Sequence, residues 1–307
     1  MNNRETEIVS RKTYFDWNGD TVCDWVPGNL DAMHVLNAMH IIFPEGERAF
    51  CRVMGSCLKH VKDPEVTAAV KGFITQEGAH AHAHHRAYLD LLERSPHISV
   101  TQAKVSRVLR VFLGSNQTKN RYLLRWRLAG VAAIEHLTTA IGVWTIEDAQ
   151  LIERGCDYQI STMVKWHGAE EIEHRSVAFD AHDAIQKRFA RSTRALAMMF
   201  WLPTLTLLWA VSANALLRND TVYKKRRVLS VKAVRRAIAE GLIPNVPAIA
   251  RGSLSFFKKS YHPVSQVSLE TDRAARAWLE SEAVRRYVRP VEKCDGEKLK
   301  LPSRQQV

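Results

Sequence analysis

Apolar residues along this chain recur at spacings of three and four, the period of a helix with one buried face, and seldom alternate as a strand would. The stretch NLDAMHVLNAMHIIFPEGERAFCRVMGSCLKHV, Asn29 to Val61, predicts a first helix that Pro44 bends or restarts. Asp63 and Pro64 supply an N-cap and a first-turn proline, opening a second helix through about Glu93, where Ser95 and Pro96 stop it. Residues 95–120 form a connection with a short helical pattern, TQAKVSRVLRVFL. A third long helix is predicted from about Lys119 to Trp144. Thr145 and Asp148 have capping-box spacing and open a fourth helix that continues past Asp183. The expectation is an all-α chain with four core helices and its longest link between the second and third.

Those helices bring unusual residues onto shared faces. In WHGAEEIEHR, Trp166 to Arg175, His167, Glu171 and His174 fall at i, i+4 and i+7 and point the same way. In GFITQEGAHAHAHHR, Glu77, His80 and His84 fall at i, i+3 and i+7. Glu170 and Glu173 turn away from the first line and are expected on a solvated face, as are His82 and His85 from the second. For His84, three readings stay open: a ligand, a support for one, or a core histidine. His60 and His136 are expected to pack or to lie at the surface. Glu135, in LAGVAAIEHLTTAIGVW, is the only acidic residue between Glu93 and Glu147, and Leu128, Val131, Ala132, Thr138 and Thr139 share its face. A solvated glutamate seldom keeps such company. On the first helix, FPEGER offers Glu45 or Glu47.

The resulting order is Glu, Glu-x-x-His, Glu, Glu-x-x-His, the ligand pattern of dinuclear carboxylate four-helix bundles. It predicts a ferritin-like bundle over residues 29–185, with an N-terminal extension over 1–28 and a hydrophobic helix plus basic tail over 186–307. Four carboxylates would neutralise most of the charge of two cations, and histidines would complete coordination while leaving positions for a small molecule. Two iron ions suit this set, and manganese or zinc would fit the same donors. The chemistry expected is an oxidoreductase, an oxygenase activating O2 for a lipophilic or membrane-associated substrate; no motif names its electron donor. The alternative is a hydrolase using a two-metal-activated water. No Ser-His-Asp order, P-loop or dinucleotide fingerprint competes for the active site.

The strings FPEGER, FITQEGAHAHAHHR, AAIEH and WHGAEEIEHRSVAFD resemble a bacterial family labelled predicted metal-dependent hydrolase, over roughly residues 30–260. That family's F-P-x-G-E-R motif implies Glu47 as the first-helix ligand in place of Glu45. The resemblance therefore implies a set of Glu47, Glu77, His80, Glu135, Glu171 and His174. His167 is similar to the extra histidine of di-iron arylamine N-oxygenases, which have His-x-x-x-Glu-x-x-His at that place. That second likeness is confined to ligand spacing and implies no amine substrate.

Charge and composition add a location. Net charge is +12 over 307 residues, yet residues 1–184 carry −3 and residues 185–307 carry +15. A segment so basic is suited to anionic lipid or nucleic acid. No zinc-finger or RNA-binding signature accompanies it, so nucleic acid is set aside. Beside it, ALAMMFWLPTLTLLWAVSANALL, residues 195–217, runs without a charge and is long enough to cross a bilayer. Spanning, dipping into one leaflet, covering a substrate channel and plain burial all remain open, because basic residues flank both ends. The five cysteines, Cys23, Cys51, Cys57, Cys156 and Cys294, are odd in number and form no CxxC pair, which points to a reducing compartment and to packing roles. The first 25 residues show no apolar signal region. The expectation is a cytoplasmic protein able to meet the inner face of the membrane.

Overall fold

A computed structural model describes residues 8–17, 25–220 and 228–291. Cys23, Cys294 and the KKRR run at 224–227 lie outside the described residues. The chain is mostly helical. In order come strand β1 (Arg11–Thr13) and helices α1 (Leu30–Asn37), α2 (Met39–Cys57), α3 (Pro64–Arg94), α4 (Ile98–Leu113), α5 (Arg121–Glu147), α6 (Tyr158–Glu173), α7 (Val177–Ile185) and α8 (Ala190–Arg218). After them come α9 (Val231–Ala239), α10 (Val246–Gly252), two short 3-10 turns, α11 (Leu269–Glu280), α12 (Glu282–Arg285) and strand β2 (Val288–Pro290).

Local chemistry sets most boundaries. The Asp63 carboxylate accepts from the amides of Glu65 and Val66, with Pro64 in the first turn of α3, and Ser95 closes that helix. Asn120 caps α5 in the same way. Three expected boundaries move. The first helix breaks at Ala38, and α2 passes through Pro44, which lies early in that helix and deprives only the His40 carbonyl of its usual donor. Thr145 and Asp148 do not open a helix: the Thr145 hydroxyl turns back to the Gly142 carbonyl, and α5 continues to Glu147. The cap of α6 is Asp157, which accepts from the amide of Ile160. The fourth helix does not run on past Asp183: it ends at Glu173, and after a turn α7 begins at Val177.

Two antiparallel hairpins organise the interior. In α2 and α3, His40 meets His84 and Cys51 meets Ile74, so one helix runs up as the other runs down. In α5 and α6, Glu135 meets His174 and Thr138 meets Glu171 with the same opposed sense. This second pair packs unusually close. A Cβ on Gly142 would collide with the Gly168 carbonyl, and one on Gly168 would collide with Thr145, so the approach needs glycine on both helices. α4 occupies the long link between the hairpins and packs on α2, while α8 lies along α5 and α1. The main apolar core runs from Ile41 through Trp201 to Phe256 without interruption. β1 pairs antiparallel with β2, joining the two ends of the described chain at one site.

Two described helices, α5 and α8, are long and apolar enough to cross a membrane. Most of α5 is buried inside the protein. α8 buries one face, through Ala197, Met198, Trp201, Ala213 and Leu216, and leaves much of the rest open.

Candidate metal centre

The residues of interest come from the middle of both hairpins. Glu47 stands on α2, Glu77 and His80 on α3, Glu135 on α5, His167 and Glu171 on α6, and His174 on the residue that ends α6. All seven are buried. One ligating atom each from Glu77, His80, Glu171 and His174 falls within 4.8 Å of the others, and a second such group is Glu47, His84 and His167. His174 Nδ1 lies 3.1 Å from Glu135 Oε2, and its Nε2 lies 3.4 Å from Glu77 Oε1. His167 Nε2 is 2.8 Å from Glu171 Oε1 and 3.7 Å from Glu47 Oε1, so Glu171 lies between the two groups. Glu45 goes elsewhere: it pairs with Arg52 at 2.6 Å and Arg110 at 2.9 Å.

The centre is charged beyond what the protein itself balances. Both carboxylate oxygens of Glu47 and of Glu77, Oε1 of Glu135, Nδ1 of His80 and Nε2 of His174 are buried without a hydrogen-bond partner among the described residues. Buried polar atoms are nearly always paired, and each orphan costs about 1–3 kcal/mol, so seven on the side chains of these two adjoining groups call for partners the protein does not supply. Burial, together with the negative neighbours Glu77 and Glu171, pushes Glu47 well above the usual carboxylate range. Burial also raises Glu77 and Glu135. For His174, burial pulls down, but Glu171, Glu135 and Glu77 outweigh it and lift the imidazole to about 9. Glu171 feels the opposite balance: burial is overcome by His174, His167 and His80, which hold it at about 2. Divalent cations would supply the missing positive charge, and the mixed oxygen and imidazole donors fit them.

The side chains around this set hold it in orientation. Glu170 Oε2 is 2.9 Å from His80 Nε2, and Arg11 donates to Glu170 Oε1 at 2.8 Å. Arg11 also donates to both oxygens of Glu173, to which the Gln76 amide donates as well. Glu170 and Glu173 are therefore not a solvated face. β1 and α3 cover that side of α6, so turning away from the ligand line does not mean turning toward water. Thr138 donates to Glu171 Oε2 at 2.6 Å.

A row of imidazoles extends from the second group. His84 Nε2 is 2.6 Å from His167 Nδ1, and His84 Nδ1 is 2.9 Å from His40 Nδ1. Burial drives His40 down to about 3, His84 well below its usual value and His167 to about 4, so all three rings are neutral at pH 7. A free Nε2 lone pair on His167 then requires Nδ1–H donating to His84, and His84 Nδ1–H donating to His40. His82 is exposed and His85 half-buried. His60 has its Nε2 shielded, and His136 packs inside, bonded to the Tyr261 hydroxyl at 2.7 Å. The described cysteines, Cys51, Cys57 and Cys156, are free thiols with their pKa raised by burial.

A cavity of about 500 Å³ reaches this centre. Glu47, His167 and Glu171 stand at its inner end, and its walls are apolar: Met39, Phe43 and Phe50 from α2, Leu202, Leu205 and Trp209 from α8. α8 thus forms one wall of this cavity. Arg235 lines it at the far, solvent side, the sole cation among its described lining residues.

Sequence reasoning missed Arg11, Glu170 and Gln76 as supports and His40 as the end of the imidazole row. Only Gln76 and Glu170 carried a signal, standing next to the candidate ligand positions Glu77 and Glu171. Comparisons with curated proteins and with solved structures returned no match. A family model described as predicted metal-dependent hydrolase matches residues 9–266, and with that span covered the chain belongs to this metal-dependent family.

Proposed function

We propose that this chain is a dinuclear metalloenzyme of ferritin-like bundle architecture that uses O2 to oxidise a lipophilic molecule. The observation that carries the reading is the meeting of seven carboxylate and imidazole side chains, several with orphaned atoms, with the inner end of an apolar cavity. Glu77, His80, Glu135 and His174 would hold one ion. Glu47 and His167 would hold the other, and Glu171 would be shared. Two ferrous ions would supply electrons to O2, and manganese or zinc would fit the same donors.

The chain's own residues do the remaining work. Glu170, braced by Arg11, accepts a hydrogen bond from the Nε2–H of His80, which keeps the proton on that nitrogen and leaves Nδ1 free to bind. His84 does the same service for the Nδ1–H of His167. Phe43, Phe50 and Leu205 exclude water from the inner cavity, where a hydrocarbon segment would lie against Glu47 and Glu171. An electron donor would be needed. The reading also puts the chain in the cytoplasm.

A second reading, hydrolysis by a two-metal-activated water, is favoured by the family description. It must account for the cavity's inner wall, which has no lysine or arginine among the described residues to clamp an ester or phosphate. Metal analysis of the purified protein, followed by anaerobic ferrous loading and an oxygen-electrode trace, separates the two. Two irons per chain with rapid O2 uptake support the oxygenase. Tight zinc, no O2 uptake and turnover of nitrophenyl esters or phosphoesters would replace it with the hydrolase.

A further inference from the structure

The outer end of the cavity sits in an unusual surface. On α8, Leu196, Met199, Pro203, Leu207 and Val211 follow one another at three- and four-residue steps, so they form a single stripe along the helix. Leu196 is 55% exposed, Met199 62% and Leu207 63%. This is the face opposite Ala197, Met198 and Trp201, which pack inward. Thr206 and Ala210 border the stripe and line the cavity, so stripe and mouth are continuous. Across the mouth, Val231 (69% exposed), Arg235, Val246 and Pro247 complete the rim.

The helices that form it, α8, α9 and α10, carry charge of one sign, and the acids at their ends are paired, Asp220 with His34 and Glu240 with Arg236. α8 contains no Asp or Glu, and Arg191 and Arg218 stand exposed near its ends. On α9 the exposed side chains beside Val231 include Lys232 and Arg235, and Arg251 follows on α10. Apolar residues at the centre with cations at the border are what an interfacial helix presents to a bilayer, the stripe entering the acyl region and the cations meeting anionic head groups. A water-filled mouth would be a poor entrance for a lipophilic substrate; an entrance pressed on a leaflet draws on a reservoir of it.

We propose that this face docks on an anionic lipid surface and that the cavity accepts a single-chain anionic amphiphile, of the fatty acid class, its head group at Arg235 and its hydrocarbon chain pointing to Glu47, His167 and Glu171. This rests on the metal-centre reading only for what happens at the inner end. Docking and chain binding stand on the stripe, the rim and the cavity.

The test uses the full-length protein. Flotation with phosphatidylcholine vesicles, with and without phosphatidylglycerol, should show binding to the anionic vesicles that weakens in high salt. Leu207→Glu and Met199→Glu should each lower that binding about tenfold or more, the worth of one buried apolar side chain. A fluorescent polyene fatty acid should bind the protein in detergent-free buffer, and Leu205→Trp, which fills the channel, should lower its affinity about tenfold. Arg235→Glu should weaken the acid and leave the corresponding fatty alcohol bound as before. Metal content is measured on every variant, so a failed metal centre reads separately from failed docking. Absence of flotation, flotation unchanged by both glutamate substitutions, or a stripe that proves to bury itself in a dimer broken by Leu207→Glu would overturn docking. Fatty acid binding indifferent to Leu205→Trp would overturn the substrate class.

Discussion

Glu170 Oε2 lies 2.9 Å from His80 Nε2, and the same carboxylate is held on its other oxygen by Arg11 from the N-terminal strand. The pair determines which nitrogen of His80 faces Glu77 and Glu171. Removing either support should leave the ligands present but poorly aimed. Glu170→Ala and Arg11→Ala are each expected to weaken metal binding by about 10–100-fold, the usual effect of losing such a partner. A chelator-competition titration measures it. Unchanged affinity in both variants would show that His80 is oriented by something else.

The orphaned oxygens make a sharper prediction. Glu47→Gln keeps the shape and removes an acid that the folded protein has no means to balance. The metal-free variant should melt no lower than the parent, whereas the upward shift of its melting temperature on metal addition should shrink, as should the bound stoichiometry of two. Glu135→Ala should likewise lose the full complement of two metals while its helical circular dichroism stays near that of the parent. Two tightly bound metals in either variant would remove that residue from the ligand set.

Stability against pH should differ between the metal-free and loaded forms. Glu47, Glu77 and Glu135 are raised by burial, and His80 and His174 are raised by the carboxylates around them, His174 to about 9. Groups raised on folding stabilise below their unfolded values and lose that contribution as pH climbs through the folded ones. His40, His84 and His167 are lowered by burial, so their contribution is lost on the acid side, as pH falls below about 6.5. The raised carboxylates begin to lose their contribution near pH 4.5, and the lowered histidines offset that only up to about 6.5. The metal-free protein should therefore be most stable on the mildly acidic side and weaken from about pH 6.5 through about pH 9. With cations bound, the ligands are already deprotonated and that alkaline loss should vanish. Thermal melts across this range, with and without metal, decide it.

Much of this was legible in the sequence, for a physical reason. Ligands on a helix must obey its three- and four-residue period, so Glu77 with His80, and Glu171 with His174, are visible as spacing. The caps at Asp63 and Pro64 are local chemistry and are equally visible. What hid was whatever depends on a distant segment. Glu170 points away from the ligand line, and only the arrival of β1, paired with β2 from the far end of the chain, turns that side into an interior. Arg11 carries no local mark at all. The end of α6 at His174 was hidden too, because no glycine or proline marks it in EIEHRSVAFD.

The close contact between α5 and α6 offers the last test, since it links backbone geometry to the centre. A Cβ on Gly142 would strike the Gly168 carbonyl and come within 3.4 Å of Glu171 Cβ. A carbonyl cannot swing aside as a side chain can, so Gly142→Ala must spread the two helices. That overpacking should cost about 1–3 kcal/mol of stability. It should also draw Glu171 away from Glu47 and His80, lowering metal affinity together with the melting temperature. Gly78→Ala is the control. Gly78 sits in mid-helix beside Glu77, exposed, with nothing within 4 Å of its added Cβ. There alanine should stabilise by about 0.5–1 kcal/mol through helix propensity and leave metal binding intact. If both variants behave alike, the close approach of α5 and α6 is not what positions Glu171.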